Sequence, residues 1–257
     1  MTAASPFDIS GRTAFVTGSS RGIGLALARG LARPGCEVVL HGMDAERCAS
    51  AAMSLAQETG ASVHAVPFDI TDAAAVRAGV AQVVARLGSV DILVNNAGIQ
   101  RRHPLLEFPA EEWDEILAIN LTAPFLIAQQ VAPSMIGAGR GKIVNIGSVQ
   151  SRLARPHITP YSASKGGLVM LTRGLCADLG GHGIQVNALA PGYIRIELTR
   201  ALVEDRQFSA WVRGRTPAAR WGEVDDLVGG LLFLCSPAAD FVNGQVLYVD
   251  GGMTAVV

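Results

Sequence analysis

A chain of 257 residues, 49% hydrophobic and with a mean hydropathy of +0.33, has the length of one large α/β domain and enough apolar surface for a deep core. A net charge of −1 with no long basic run argues against nucleic acid or an anionic membrane as partner. Cys36, Cys48, Cys176 and Cys235 are scattered without a C-x-x-C pair, which argues against a metal site or a disulfide framework. The N-terminus, MTAASPFDIS, has no signal pattern and no apolar run approaches membrane-spanning length, so the expectation is a cytoplasmic protein.

The first β-rich run, residues 12–16, leads into Thr17-Gly18-Ser19-Ser20-Arg21-Gly22-Ile23-Gly24 and then an alanine- and leucine-rich helical stretch, 25–32. A strand ending in a glycine-rich turn at a helix N-terminus suits a phosphate pair: backbone N–H groups and the helix dipole point at the anion, and glycine allows close approach. Further strands are predicted at 37–41, 62–68, 91–95, 142–146, 185–189 and 245–249, and helices at 44–58, 72–87, 111–136, 159–179 and 223–234. Asp44, Thr71 and Asp72 read as helix caps or first-turn acids. The strands are apolar on both faces, as buried parallel strands are. The alternation predicts a single α/β domain, 1–257, with a doubly wound parallel sheet covered on both faces. Residues 191–222 carry no strand pattern but hold Tyr193, Phe208 and Trp211. They read as a helical insertion beyond the C-terminal edge of the sheet, either a substrate lid or an exposed connector.

Tyr161 and Lys165 stand i, i+4 in YSASK, on one face of a predicted helix. A phenol titrates near ~10, too high for a base at neutral pH, and a neighbouring ammonium lowers it. Such a tyrosine takes a proton from an alcohol or returns one to a carbonyl oxygen. Ser148 ends the strand KIVNIGS, where its hydroxyl can meet a developing alkoxide. Asn120, in the helix before that strand, is placed to anchor a water relay to Lys165. Taken singly, each is also an ordinary cap, turn or surface residue; the order in which they occur carries the reading.

That order resembles the short-chain dehydrogenase/reductase family along essentially the whole chain, through TGSSRGIG, NNAG (95–98), Asn120, Ser148, YSASK, Pro191-Gly192 and VDGG (249–252). The resemblance implies a Rossmann fold with seven parallel strands. It implies catalysis by Asn120, Ser148, Tyr161 and Lys165, with Tyr161 as acid/base, Ser148 orienting the substrate oxygen, Lys165 binding the nicotinamide ribose and tuning Tyr161, and Asn120 supporting the proton relay. It further implies a cofactor site of Gly18, Ser20, Arg21, Gly22, Ile23 and Gly24 at the glycine turn. Asp69 and Ile70 would lie beside the adenine. Asn95, Ala97 and Gly98 would line the groove, and Pro191, Gly192 and Ile194 would sit by the nicotinamide. A homotetramer is common among such relatives, and the apolar C-terminus (244–257) suits an interface.

A carboxylate after the second strand would select NAD through the ribose 2′-OH. Here the position is Gly42, followed by Met43, and Arg21 offers a partner for a 2′-phosphate. NADP is therefore preferred, with NAD as the alternative. Within the family, the loops NNAGIQRRHP, ITPYSASKG and RTPAARWG are most similar to those of members that interconvert gluconate and 5-keto-gluconate at a secondary alcohol. For a sugar acid, Arg101 and Arg152 are the first choices to hold the carboxylate, and Gln150 and Tyr193 join Ser148 and Tyr161 around the substrate. Arg152 departs from that branch, which has a glutamate there, and Ile196 stands where the family often has a threonine. Two other readings remain: a reductase of 3-oxoacyl thioesters on acyl carrier protein, and a non-catalytic nucleotide-binding protein.

Overall fold

The computed structural model describes residues 5–257; residues 1–4, part of the segment read above for a signal, lie outside them. Seven strands form one parallel sheet: β1 (Thr13–Val16), β2 (Glu37–Leu40), β3 (Val63–Ala65), β4 (Ile92–Asn95), β5 (Gly141–Ile146), β6 (Ile184–Pro191) and β7 (Val246–Val249). Their order is β3-β2-β1-β4-β5-β6-β7, so the chain reverses direction across the sheet between β1 and β4. At such a switch point the connections leave in opposite directions and open a crevice at the C-terminal strand ends.

The helices are α1 (Gly22–Ala32), α2 (Ala45–Thr59), α3 (Ala73–Leu87), α4 (Ala110–Leu117), α5 (Ala123–Ala138), α6 (Thr159–Leu179), α7 (Arg200–Glu204), α8 (Arg206–Arg215) and α9 (Val228–Cys235). Alternate strand residues feed two cores, as the period of two requires. Ala14, Val16, Ile92 and Val94 join Leu27, Leu31, Leu231 and Leu234 on one face. Phe15 and Leu93 join Val76, Val80, Ile127 and Val131 on the other.

Every predicted strand is present, with shifted ends. β3 stops at Ala65 where 62–68 was expected, because Pro67 has no N–H for the ladder. β6 runs on to Pro191, which pairs with Val249. Asp44 and Asp72 cap α2 and α3, accepting from Arg47 N at 3.0 Å and Ala74 N at 2.7 Å. Thr71 is not a cap: its hydroxyl donates to Asp69 Oδ1 at 2.7 Å. The helix expected at 223–234 begins as a 3-10 turn, Val224–Leu227, fastened by Asp226, which accepts from Glu223 N and pairs with Arg220.

The helix expected over 111–136 is broken by a π turn, Ala118–Thr122, between α4 and α5. Contrary to the sequence expectation, Ala110–Ala138 has the length and hydropathy, 1.4, of a membrane span. Its apolar residues Ile127, Val131 and Met135 are buried in the core against the sheet, which accounts for that composition. Residues 191–222 form a 3-10 turn, Glu197–Thr199, then α7 and α8. A bridge between Ile194 and Gly222 closes the base. Fully buried Trp221 donates to Ser209 Oγ at 2.9 Å, tying α8 to that base.

Candidate active site

At Gly18 and Gly24 the glycine turn is built by contacts that leave no room for side chains. Gly18 has φ +60°, and a Cβ there would lie 2.8 Å from Ala97 Cα. A Cβ on Gly24 would run into Gly18 O and Asn96 Nδ2, with Ser19 Cα at 2.9 Å. The turn is stitched to β4 by Asn96, whose Nδ2 donates to Thr17 O and Gly18 O at 2.9 Å. Thr17 Oγ1 accepts from Asn96 N and Ala97 N. Asn96 was not among the expected cofactor residues; its place in NNAG, straight after a strand end, was the available signal. The side chain of Asn95 instead points to Asn145 Oδ1, at 2.9 Å, so only its backbone can serve the groove.

Arg21 is exposed at the N-cap of α1, beside Ser20, Gly22 and Ile23. Gly42 is buried, Met43 is 72% exposed, and no carboxylate stands at either. Asp69 is half-buried and Ile70 buried behind β3. Gly98 completes the groove: a Cβ there would lie 3.3 Å from Asn120 Oδ1 and 3.7 Å from Lys165 Nζ. Bare backbone around a helix N-terminus is what a pyrophosphate needs, so these residues fit a dinucleotide.

The four expected catalytic side chains meet at the C-terminal edges of β4 and β5. Asn120 sits in the π turn, fully buried. Single π turns recur at functional sites because they turn a side chain out of helical register. Here Asn120 Oδ1 accepts from Ile99 N at 2.9 Å, and Nδ2 donates to Ile99 O at 3.0 Å and to Ser164 Oγ at 3.1 Å. Ser164 Oγ in turn donates to Tyr161 O at 2.8 Å. Asn120 thus ties the loop after β4 to the first turn of α6.

Ser148 caps a 3-10 turn, Val149–Ser151, and its Oγ accepts from Gln150 N at 3.1 Å. Lys165 is 4% exposed and donates from Nζ to Ile146 O at 2.7 Å, 5.8 Å from the Tyr161 ring centre. Burial pushes its ammonium down to about 8. The expectation was that the Lys165 ammonium lowers the Tyr161 phenol. Burial raises the phenol above its ordinary value, and the hydrogen bond with Ser148 offsets only part of that. The i, i+4 spacing does bring the pair together, but the carbonyl of Ile146 takes the ammonium.

Among the described residues, neither of the two arginines expected first for the substrate carboxylate is hydrogen-bonded to Tyr193. Arg101 is half-buried and paired with Glu115 at 3.2 Å. Arg152 is exposed and, among the described residues, forms no ion pair. Their neighbours Arg102 and Arg155 are gathered instead. Arg155 Nη1 donates to Tyr193 OH at 3.3 Å and its guanidinium lies 4.9 Å over the Phe208 ring. Arg102 is exposed, close enough to Arg155 and Tyr193 to feel their charges; desolvation and then the like charge of Arg155 lower its pKa.

The two loops are joined by His103 N donating to His157 O at 3.2 Å, with His157 held at φ +69°. A non-glycine residue in that region stores strain, a cost often met at binding sites. Tyr193 packs edge-on against Phe208, Trp211 and Trp221. Gln150 is 9% exposed, and its Oε1 has no hydrogen-bond partner. Pro191 and Gly192 end β6 beside this rim, with Gly192 against Asp250, and Ile194 is buried at the lid base. Ile196 packs its side chain on the core, and Thr199 Oγ1 accepts from its N–H at 3.1 Å.

A family model described as enoyl-(acyl carrier protein) reductase matches residues 18–254. The chain is 55% identical over 248 residues, 96% of each chain, to gluconate 5-dehydrogenase of Gluconobacter oxydans (strain 621H). It is 49% identical over 251 residues, 98% of each chain, to 5-keto-D-gluconate 5-reductase of Escherichia coli (strain K12). A crystal structure of a gluconate 5-dehydrogenase from Burkholderia cenocepacia J2315, in complex with NADP and tartrate, superposes with a TM-score of 0.95 at 53% identity, covering 98% of each chain. With the sheet order, the glycine turn and the Asn-Ser-Tyr-Lys group all in place, the chain belongs to the short-chain dehydrogenase/reductase family of NAD(P)-dependent oxidoreductases.

Proposed function

We propose that this protein interconverts 5-keto-gluconate and gluconate, or a close sugar acid, by hydride transfer at a secondary alcohol, with NADP preferred over NAD. The observation that carries the substrate class is the pair of guanidiniums, Arg102 and Arg155, gathered with Tyr193 at the rim of a site that ends on Ser148 and Tyr161. The full-length relatives named for gluconate and for 5-keto-D-gluconate support the same class. The absence of a carboxylate at Gly42 and the NADP bound by related structures support the cofactor preference.

The nicotinamide, when bound, supplies or accepts the hydride. The chain's residues handle the oxygen and the proton. Tyr161 OH donates a proton to the ketone oxygen during reduction and takes it back during oxidation. Ser148 Oγ hydrogen-bonds the same oxygen as charge develops on it. Lys165 holds positive charge beneath the Tyr161 ring. Asn120 has both amide hydrogens engaged, leaving one Oδ1 lone pair to receive a water on the proton path. The unpartnered Gln150 Oε1 suits a substrate hydroxyl, and residues 191–222 serve as the lid.

We also infer assembly into a homotetramer. Trp113, Phe125, Ile136 and Met170 stand exposed on α4, α5 and α6, which pack on one another, and so offer an apolar face.

The direct test follows reduced-nicotinamide absorbance with 5-keto-gluconate, comparing NADPH with NADH and with no carrier protein present. Fast turnover with NADPH is expected. Turnover with NADH alone would reverse the cofactor preference. Activity confined to acyl-carrier thioesters would replace the sugar-acid reading.

A second experiment separates the arginines. Arg102→Ala raises KM for 5-keto-gluconate about 10- to 100-fold, the worth of one charge-assisted hydrogen bond, with a smaller effect on kcat. Arg101→Ala stays within about twofold, because its charge is already paired on the surface. The opposite ranking would return the carboxylate to Arg101.

A further inference from the structure

His41, the first residue after β2, is 2% exposed and has no part in the chemistry described above. It is nevertheless hydrogen-bonded into the glycine turn at three atoms and anchored outside it at a fourth. Its backbone O accepts from Ser19 N at 2.8 Å, and its N donates to Ser19 Oγ at 3.0 Å. Its Nδ1 meets Gly18 N at 3.2 Å, and its Nε2 meets Phe68 O at 3.0 Å.

The ring's partners fix its tautomer. A carbonyl oxygen can only accept, so Nε2 carries the hydrogen and donates to Phe68 O. Nδ1 is then a lone pair and accepts from the Gly18 N–H. Phe68 at 4.3 Å and Phe15 at 6.2 Å enclose the ring, and burial pushes its pKa down to about 4. The neutral form is the one this geometry requires, since a proton on Nδ1 would confront the Gly18 N–H donor. Among the described residues, Asp69 is the charged neighbour that bears on the ring.

We propose that His41 is a positioning residue for the cofactor. By accepting from Gly18 N–H while anchored to Phe68, its neutral imidazole sets the left-handed Gly18 corner of the phosphate turn. Gly18 is the residue whose backbone must lie against Ala97 for the turn to close. The first-turn N–H groups of α1 have no partner within the helix, and the corner aims them at the pyrophosphate. The inference rests on the dinucleotide reading of the turn but not on the identity of the substrate.

Two near-isosteres separate the ring's two bonds. Asn carries its Oδ1 acceptor as many bonds from the backbone as His Nδ1, so His41→Asn keeps the Gly18 contact and gives up Phe68. Gln places its Nε2 donor where His Nε2 lies, so His41→Gln keeps Phe68 and gives up Gly18. NADPH dissociation constants are read from nicotinamide fluorescence in the absence of substrate, with thermal unfolding of each variant measured alongside. His41→Gln weakens NADPH about tenfold, as loss of a buried acceptor does, and His41→Asn stays within about twofold. The value of kcat at saturating NADPH changes less than about twofold in both. Equal affinities in the Gln variant and the unchanged protein would overturn the proposal, as would an Asn variant as weak as the Gln variant. Should NADPH bind to none of them, the unchanged protein included, the dinucleotide reading itself would fall.

Discussion

Replacing Tyr161 by Phe lowers kcat for 5-keto-gluconate reduction about a thousandfold while leaving the NADPH dissociation constant within about twofold, the range expected when a positioned proton donor is removed. The substitution deletes one oxygen and little else. The first turn of α6 is held by Ser164 Oγ donating to the backbone oxygen of Tyr161, which Phe retains. Lys165 keeps its bond to Ile146 O, and the glycine turn lies on other elements. What goes is the hydroxyl that we propose moves a proton between the substrate oxygen and the interior; Ser148 remains.

The pH dependence offers a second readout. In alcohol oxidation the rate rises with pH as the phenol, its pKa raised by burial, gives up its proton. The phenol's limb of that profile disappears in Tyr161→Phe. Retention of a tenth or more of the original kcat would remove Tyr161 from the reaction, and would revive the reading of a nucleotide-binding protein that does not need it.

The sheet was legible in the sequence because its strands are short apolar runs, separated by helical patterns whose ends carry recognisable caps. Seven such runs leave little freedom once parallel pairing and right-handed crossovers are imposed. The tetrad was legible for a different reason: its members stand in the order of the family the chain resembles. What the sequence did not disclose depends on contacts between distant segments. The run Ala-Ile-Asn-Leu-Thr (118–122) has the pattern of the helices on either side. It becomes a π turn where Asn120 exchanges both amide functions with Ile99, from the loop after β4.

Arg101 and Arg102 are adjacent in an extended loop, so their side chains leave in different directions. The loop that carries them is joined to His157, 54 positions along the chain, through the backbone N–H of His103. Asn96 is a similar case. Its role is to satisfy carbonyls of a turn nearly 80 residues earlier. Local pattern finds elements; the side chains that join one loop to another emerge only when the loops are brought together.

Among the glycines, Gly24→Ala is expected to have the largest effect. It weakens NADPH at least about 100-fold, equivalent to about 3 kcal/mol. The argument is steric and does not invoke backbone freedom, since no left-handed conformation is needed there. The added methyl would occupy the space of Gly18 O and Asn96 Nδ2, with Ser19 Cα at 2.9 Å. Two of these three atoms are backbone of the phosphate turn, so relief requires the turn to open, and opening separates Asn96 from Thr17 O and Gly18 O.

Two other glycines calibrate the effect. Gly22 has open space where a methyl would be added but φ +60°, so Gly22→Ala incurs only the left-handed penalty, about 1–2 kcal/mol. Gly137 lies exposed in α5 with nothing near it, so Gly137→Ala leaves NADPH binding unchanged and stabilises the fold by about 0.5–1 kcal/mol. Fluorescence titration of the three variants should therefore rank Gly24 far above Gly22 and Gly22 above Gly137. A Gly24→Ala protein that binds NADPH within about threefold of the unchanged chain would mean that the pyrophosphate does not depend on the close packing of this turn. In that case the N–H groups of α1 would have to reach the phosphates from a conformation other than the one Asn96 and His41 hold in place.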